Sequence, residues 1–134
     1  MQSYRSRGTI NPARFVVGSA YADDSVEQAT ANARTIGVAQ EWSHDAPIPG
    51  ASTDAATSGE QVKVYDLGET CLLELGGTVS RFGLLKADND GKGVAVATTG
   101  TTIQQIGAQA LQAGVSGNLV RVQVLFYSER PALA

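Results

Sequence analysis

Apolar and polar positions alternate with a period of two in several short stretches of the chain, the mark of half-buried β-strands. The clearest stretch lies near the C-terminal end, where Leu119, Arg121, Gln123 and Leu125 alternate with Val120, Val122, Val124 and Phe126. Both sets carry apolar residues, so this strand is expected to be central and well buried. Residues 61–65 (QVKVY) alternate as cleanly, and residues 69–75 (ETCLLEL) follow a turn at Asp66-Leu67-Gly68. Further strands are expected at 14–17 (RFVV), 26–29, 34–41, 84–86 and 93–97. Within 34–41, Ile36 and Val38 share one face and alternate with Gly37 and Ala39, and Trp42 stands just beyond the end.

The punctuation between these stretches is equally local. Gly76-Gly77 ends one strand, and Arg81-Phe82-Gly83 turns the chain before Leu84. Asp88-Asn89-Asp90-Gly91 is a tight-turn signal, because Asn, Asp and Gly tolerate positive φ. Residues 101–111 are ambiguous. Ile103, Ile106, Ala110 and Leu111 have helical spacing with Gly114 as a cap, whereas Gly107 would cost a helix about 1 kcal/mol and Thr101-Thr102 favour a strand. Sliding the sequence along itself by about seventy positions, a test for internal repeats, sets Ile106-Gly107 on Ile36-Gly37, Val96 on Val26 and Leu85 on Phe15. That comparison leans toward a strand; the pattern alone leaves both open.

Two segments lack periodicity. Residues 1–12 place Tyr4, Arg5, Arg7 and Ile10 among Ser, Gly and Thr and end on Asn11-Pro12. They are expected to form an extended N-terminal arm, free in the isolated chain and ordered on a partner. Residues 43–60 form the longest loop. Pro47 and Pro49 remove donors a central strand would need, and the loop is expected to pack through Ile48 and otherwise to be exposed. The expected division is therefore an arm over 1–12 and a single β-rich domain over 13–134.

Length and composition narrow the class. One domain is the expectation for 134 residues. Only 17% of residues are charged, against about 25% in an average globular chain, and aromatics are 6%. The core must then be built from Val, Leu, Ile and Ala. A net charge of −3 gives no basic footprint for nucleic acid, and no run approaches the roughly 20 apolar residues of a membrane-spanning helix. Behind Arg5 and Arg7 there is no apolar segment of a secretory signal, so synthesis in the cytoplasm is expected.

Candidate chemistry is sparse. Ser43-His44-Asp45 holds the three residue types of a hydrolase triad, but consecutive residues on extended chain point to opposite faces and cannot form the relay. Asp88-Asn89-Asp90-Gly91 matches the start of a calcium loop without its later acidic ligand or flanking helices. Cys71 lies in an apolar strand with no base beside it and reads as a small buried hydrophobe. With His44 it falls short of a zinc ligand set. No catalytic residue, cofactor site or metal site is expected. Trp42 is read as a plug at the core edge, with an exposed sugar-stacking role as its alternative.

In their order along the chain, several stretches resemble the capsid cement (head decoration) proteins of tailed bacteriophages. They are residues 14–17, 33–40 (ARTIGVAQ), 63–65, 71–77 (CLLELGG), 83–88 (GLLKAD), 90–93 (DGKG), 106–111 (IGAQAL) and 120–124 (VRVQV). One departure stands at Phe82-Gly83, where such proteins commonly carry a turn glycine followed by an acidic residue. The resemblance implies a small antiparallel β-barrel-like (tulip-like) domain with little helix, on the outer surface of the phage head. It implies a homotrimer or trimer-like cluster that bridges major capsid protein subunits and stabilises the shell against internal DNA pressure. Its partners would be the major capsid protein and other copies of itself, with no nucleic acid and no membrane. Interface residues would be Tyr4, Arg5, Arg7 and Ile10 of the arm and Pro47, Ile48 and Pro49 of the loop. The alternative function is a virion-displayed domain that binds carbohydrate or a host surface, with Trp42, Tyr21, Tyr65 and Tyr127 as its aromatics.

Overall fold

The computed structural model describes residues 1–20, 22–43, 52–97 and 102–129, and these contain ten β-strands and no helix. The strands are β1 (Gln2–Ser6), β2 (Phe15–Gly18), β3 (Ser25–Gln28), β4 (Gly37–Ala39) and β5 (Gln61–Tyr65), then β6 (Thr70–Glu74), β7 (Leu84–Ala87), β8 (Gly93–Ala95), β9 (Gln104–Ala110) and β10 (Leu119–Glu129). The first five close a barrel in the order β1-β3-β2-β4-β5, with β5 pairing back onto β1. The last five form a sheet ordered β6-β10-β9-β7-β8, and a parallel bridge from Leu75 to Gly93 brings its outer strands together.

The two halves are the same structure built twice. Arg5 faces Gln61 and Tyr4 faces Val62 in the first copy; Glu74 faces Leu119 and Leu73 faces Val120 in the second. Val16↔Gln28 and Gly18↔Val26 recur as Leu85↔Ala95 and Ala87↔Gly93. Phe15↔Val38 and Ala39↔Val64 recur as Leu84↔Gln109 and Ala110↔Val122. The parallel contact Ser6↔Val26 recurs as Leu75↔Gly93. Connections match as well: Ile10 bridges Ala56 where Val79 bridges Gly114. Gly59 (φ 88°) donates to the Ser6 carbonyl as Gly117 (φ 90°) does to that of Leu75. The internal repeat suggested by the sequence is therefore real. Its residue matches were displaced: Phe15 corresponds to Leu84 and Gly37 to Ala108. A single offset cannot follow connections of different length, and a slip of one residue exchanges the faces of a strand.

Several expectations are corrected. Residues 1–12 are not a free arm. Gln2–Ser6 is the strand that closes the first barrel, and without it both β3 and β5 would lose a neighbour. Polar residue types hid this strand, because its backbone pairing needs no apolar run. The β1–β3 contact is parallel, so the barrel is not purely antiparallel. Residues 101–111 contain the strand β9. The long loop is not exposed throughout: Ala55 and Ala56 are fully buried and exchange backbone hydrogen bonds with Ile10. Ile48, with the rest of residues 44–51, lies outside the described residues.

Alternation along the strands divides the core into two clusters. Inside the first barrel sit Ile10, Val16, Val26, Ala39, Ala55, Ala56, Val62 and Val64. Their strand neighbours Phe15 and Val38, with Ala29, join instead the cluster built on Leu73, Leu75, Leu85, Val122 and Val124 of the second copy. Among the described residues Phe15 is the largest fully buried side chain. Gly107 makes room for it, since a Cβ there would lie 2.6 Å from Phe15 Cε1 and 2.6 Å from Thr35 Oγ1. Gly107 stands on β9 where the register to β10 shifts between Val124 and Tyr127. Backbone hydrogen bonds cross the same junction, from Glu74 N to Ala13 O (2.9 Å) and from Phe15 N to Gly91 O (2.8 Å). Asn32 (φ 53°) donates through Nδ2 to Ile103 O (2.9 Å) and accepts through Oδ1 from Gln105 N (3.0 Å), fixing the start of β9.

Removing the Phe15 ring should destabilise both halves together. Phe15→Ala is expected to cost about 3–5 kcal/mol, the range for emptying an aromatic from a packed core. Urea unfolding followed by tryptophan fluorescence and by circular dichroism checks this, with the two probes moving to lower denaturant in step.

Candidate partner-binding surfaces

Barrel closure decides which of the expected contact residues face outward. Ile10 is fully buried and belongs to the core. Tyr4 is half-buried against the same cluster, while Arg5 and Arg7 are exposed. Pro47, Ile48 and Pro49 lie outside the described residues, as do His44 and Asp45. The structure thus brings Tyr4 and Arg5 to one place and removes Ile10 from any surface.

That place is an open groove of about 280 Å³ on the first copy, lined by Ser3, Tyr4, Arg5, Asp24, Gly59 and Gln61. Its floor is the β1–β5 ladder, and Arg5 N donates to Asp24 O (2.8 Å) at its side. A second cleft, of about 380 Å³, lies between the copies. It is lined by the turn Asn11-Pro12-Ala13-Arg14 of the first copy and by Glu74, Gly117 and Leu119 of the second. Arg14 donates through Nη1 to Asp90 O (2.8 Å) and lies 3.4 Å from Glu74 Oε2 through Nη2. Lys92 Nζ is 3.2 Å from the same carboxylate. Arg14 Nε and Glu41 Oε2 are buried there without a hydrogen-bond partner.

The turn preceding β7 departs most from ordinary surface chemistry. Phe82 has φ 65° and is 55% exposed. A left-handed conformation costs an L-residue roughly 1–2 kcal/mol, and an exposed ring gains little burial in return. Its counterpart Ala13 shares the positive φ (55°) but is buried at the inter-copy cleft. The Arg81 guanidinium lies 4.6 Å from the centroid of the Phe82 ring, an arrangement in which cation and π-face attract. Exposed aromatic and arginine side chains are the types enriched in protein interfaces. Sequence reading placed a turn at residues 81–83 but gave it no role, because positive φ at Phe82 is invisible in a string of letters.

Trp42 is 47% exposed, so it is not the plug expected from its position. It stands at the start of the stretch in which the copies differ most in length. Ala39 to Ala56 in the first copy corresponds only to Ala110 to Gly114 in the second. The second copy makes the Val79–Gly114 bridge, the counterpart of Ile10–Ala56, across the shorter connection.

Among the described residues no three of His, Cys, Asp and Glu gather as a metal site. Tyr65 donates its hydroxyl to Glu41 Oε1 (2.9 Å). Burial, then the Glu41 carboxylate, pushes its pKa well above the usual phenol range. Cys71 is buried and its thiol is pushed from 9.0 to about 12, first by desolvation and then by the Glu41 and Glu69 carboxylates. A thiol held protonated in this way is a poor nucleophile.

No family model and no curated protein sequence matches the chain. A solved structure does: the N base of the head fibre gp8.5 of bacteriophage phi29. The likeness covers 92% of each chain with a TM-score of 0.64 and 18% sequence identity. At this identity what is shared is the fold. At 92% coverage it takes in both copies of the repeat.

The native Cys71 thiol is expected to react with an aromatic disulfide reagent at neutral pH roughly a hundredfold or more slowly than in the unfolded chain, since reaction must wait for opening. A folded-state pKa raised above the unfolded value also fixes the sign of its pH effect. The contribution to stability is complete below about 9 and is lost as pH rises toward about 12. Urea unfolding at successive alkaline pH values reads this slope.

Proposed function

We propose that the protein is a capsid decoration (cement) protein. It binds the outer surface of a phage head, bridges major capsid protein subunits and stabilises the shell against the packaged DNA. The observation that carries this reading is the fold shared with a phage head-fibre base over 92% of both chains. The ordered resemblance of residues 14–124 to cement proteins supports it independently. A ligand that binds only the assembled lattice stabilises that lattice by mass action, and such a role needs surfaces and no reaction. The partners are the major capsid protein and further copies of the chain, which cluster as a trimer or in trimer-like fashion.

The capsid contact is assigned to the long connection at residues 43–60 together with Trp42, because the second copy closes the same turn without it. Replacing residues 41–54 by a single Gln, the equivalent of Gln112, should leave a folded chain. Cosedimentation with undecorated heads should fall at least tenfold. Retained cosedimentation by the shortened chain would move the contact elsewhere, and failure of the intact chain to bind heads would remove the cement reading.

The exposed Trp42 favours one other reading, a carbohydrate- or host-surface-binding domain displayed on the virion. An immobilised-glycan screen separates the two. The cement reading predicts no glycan bound above background, and Trp42-dependent binding of a sugar would support the alternative.

A further inference from the structure

The junction inside the molecule is a template for a junction between molecules. Within the chain, the turn Asn11-Pro12-Ala13-Arg14 of the first copy meets Glu74 of the second, through the Glu74 N to Ala13 O bond and the Arg14–Glu74 pair, and lines one open cleft with Gly117 and Leu119. The matching strand registers translate each side. Glu74, Gly117 and Leu119 correspond to Arg5, Gly59 and Gln61, three of the six residues that line the open groove on the first copy. Ala13 corresponds to Phe82, the exposed ring on the positive-φ turn of the second copy. One molecule thus carries an unused groove at one end of its repeat and an unused turn at the other.

We propose that the chain associates head to tail with other copies of itself, the Ser80–Gly83 turn of one molecule seated in the Tyr4–Arg5–Gln61 groove of the next. Phe82 packs on the exposed Arg5–Gln61 pair, and Arg81 faces Asp24. This rests on the internal repeat, and it supplies the self-contact within the decoration role proposed above. Such an interface is heterologous, so it generates rings where the rotation closes and filaments where it does not.

The copy of the junction is weaker than its template, for reasons visible in the residues. Phe15, Val38 and Tyr65, the outward face of the first copy, correspond to Leu84, Gln109 and Gln123 in the second. Polar outer positions are how repeat arrays are capped. Arg5 N is already bonded to Asp24 O and Phe82 O to Gln109 Nε2 (3.1 Å), so the backbone bond from Glu74 N to Ala13 O has no intermolecular equivalent. Association is therefore reversible and depends on the Phe82 ring.

Sedimentation velocity of the full chain, up to about a millimolar, tests this. The wild type should sediment above its 13.9 kDa monomer, and Phe82→Gly, which suits the positive φ and keeps the fold, should remain monomeric or associate at least tenfold more weakly. Gln61→Arg on the exposed face of β5 should have the same effect. Mixing the two variants restores one good turn and one good groove, and should give a heterodimer that grows no further. A wild type that stays monomeric throughout, or a Phe82→Gly chain that associates like wild type, overturns the proposal. Neither result bears on whether the monomer binds heads, which the cosedimentation experiment reads separately.

Discussion

One aromatic ring lodged against one glycine joins a closed barrel and its sheet-like repeat into one body. Phe15 belongs to the first copy by sequence and to the second copy's core by packing. It can take that place only because Gly107 offers no Cβ within 2.6 Å of it. Much else follows from this contact. β9 carries a glycine at its centre, where a helix or a well-packed strand would disfavour one. The register of β10 shifts opposite it, and the Asn11–Arg14 turn is drawn over the end of β6. Each copy alone has a modest core; together they bury an apolar cluster that draws on both.

Closure of the sheets serves the same end. An open sheet edge is a template for unintended pairing. Here β1 seals the first barrel, and the Leu75–Gly93 bridge brings together the outer strands of the second sheet. In the decoration role proposed above, force passed between capsid subunits would be resisted by these packed cores and backbone ladders. Low charge is in keeping with a surface that works by shape and many small contacts.

Much of the architecture was legible in the sequence. Strict alternation revealed β5 and β10, and the glycine and aspartate turns marked most boundaries. The Asp88–Gly91 turn forms as its letters imply, with Asp88 Oδ1 accepting from Asp90 N (2.8 Å) and Lys92 N (2.9 Å), and Gly91 at φ 76°. The misses share a cause, that strand pairing and packing are long-range. β1 is polar, so nothing in Gln2–Ser6 announced a barrel strand; its place is set by β3 and β5. Trp42 was assigned inward because large apolar residues usually are. The repeat was detectable only faintly, because equivalent positions hold Tyr4 and Leu73, or Ser6 and Leu75, which share a location and not a chemistry. The candidate surfaces were the least legible: Arg5 reads as part of an arm and lies on a barrel strand, and the positive φ of Phe82 leaves no mark in its letter.

The central claim is that this duplicated β-domain strengthens a shell. Heating DNA-filled heads that lack it, with and without the added protein, and recording the temperature at which DNA becomes accessible to an intercalating dye, tests that claim most directly. The account predicts release several degrees higher when the protein is bound, with the shift saturating as its sites fill. Binding that saturates while the release temperature stays where it was would contradict it.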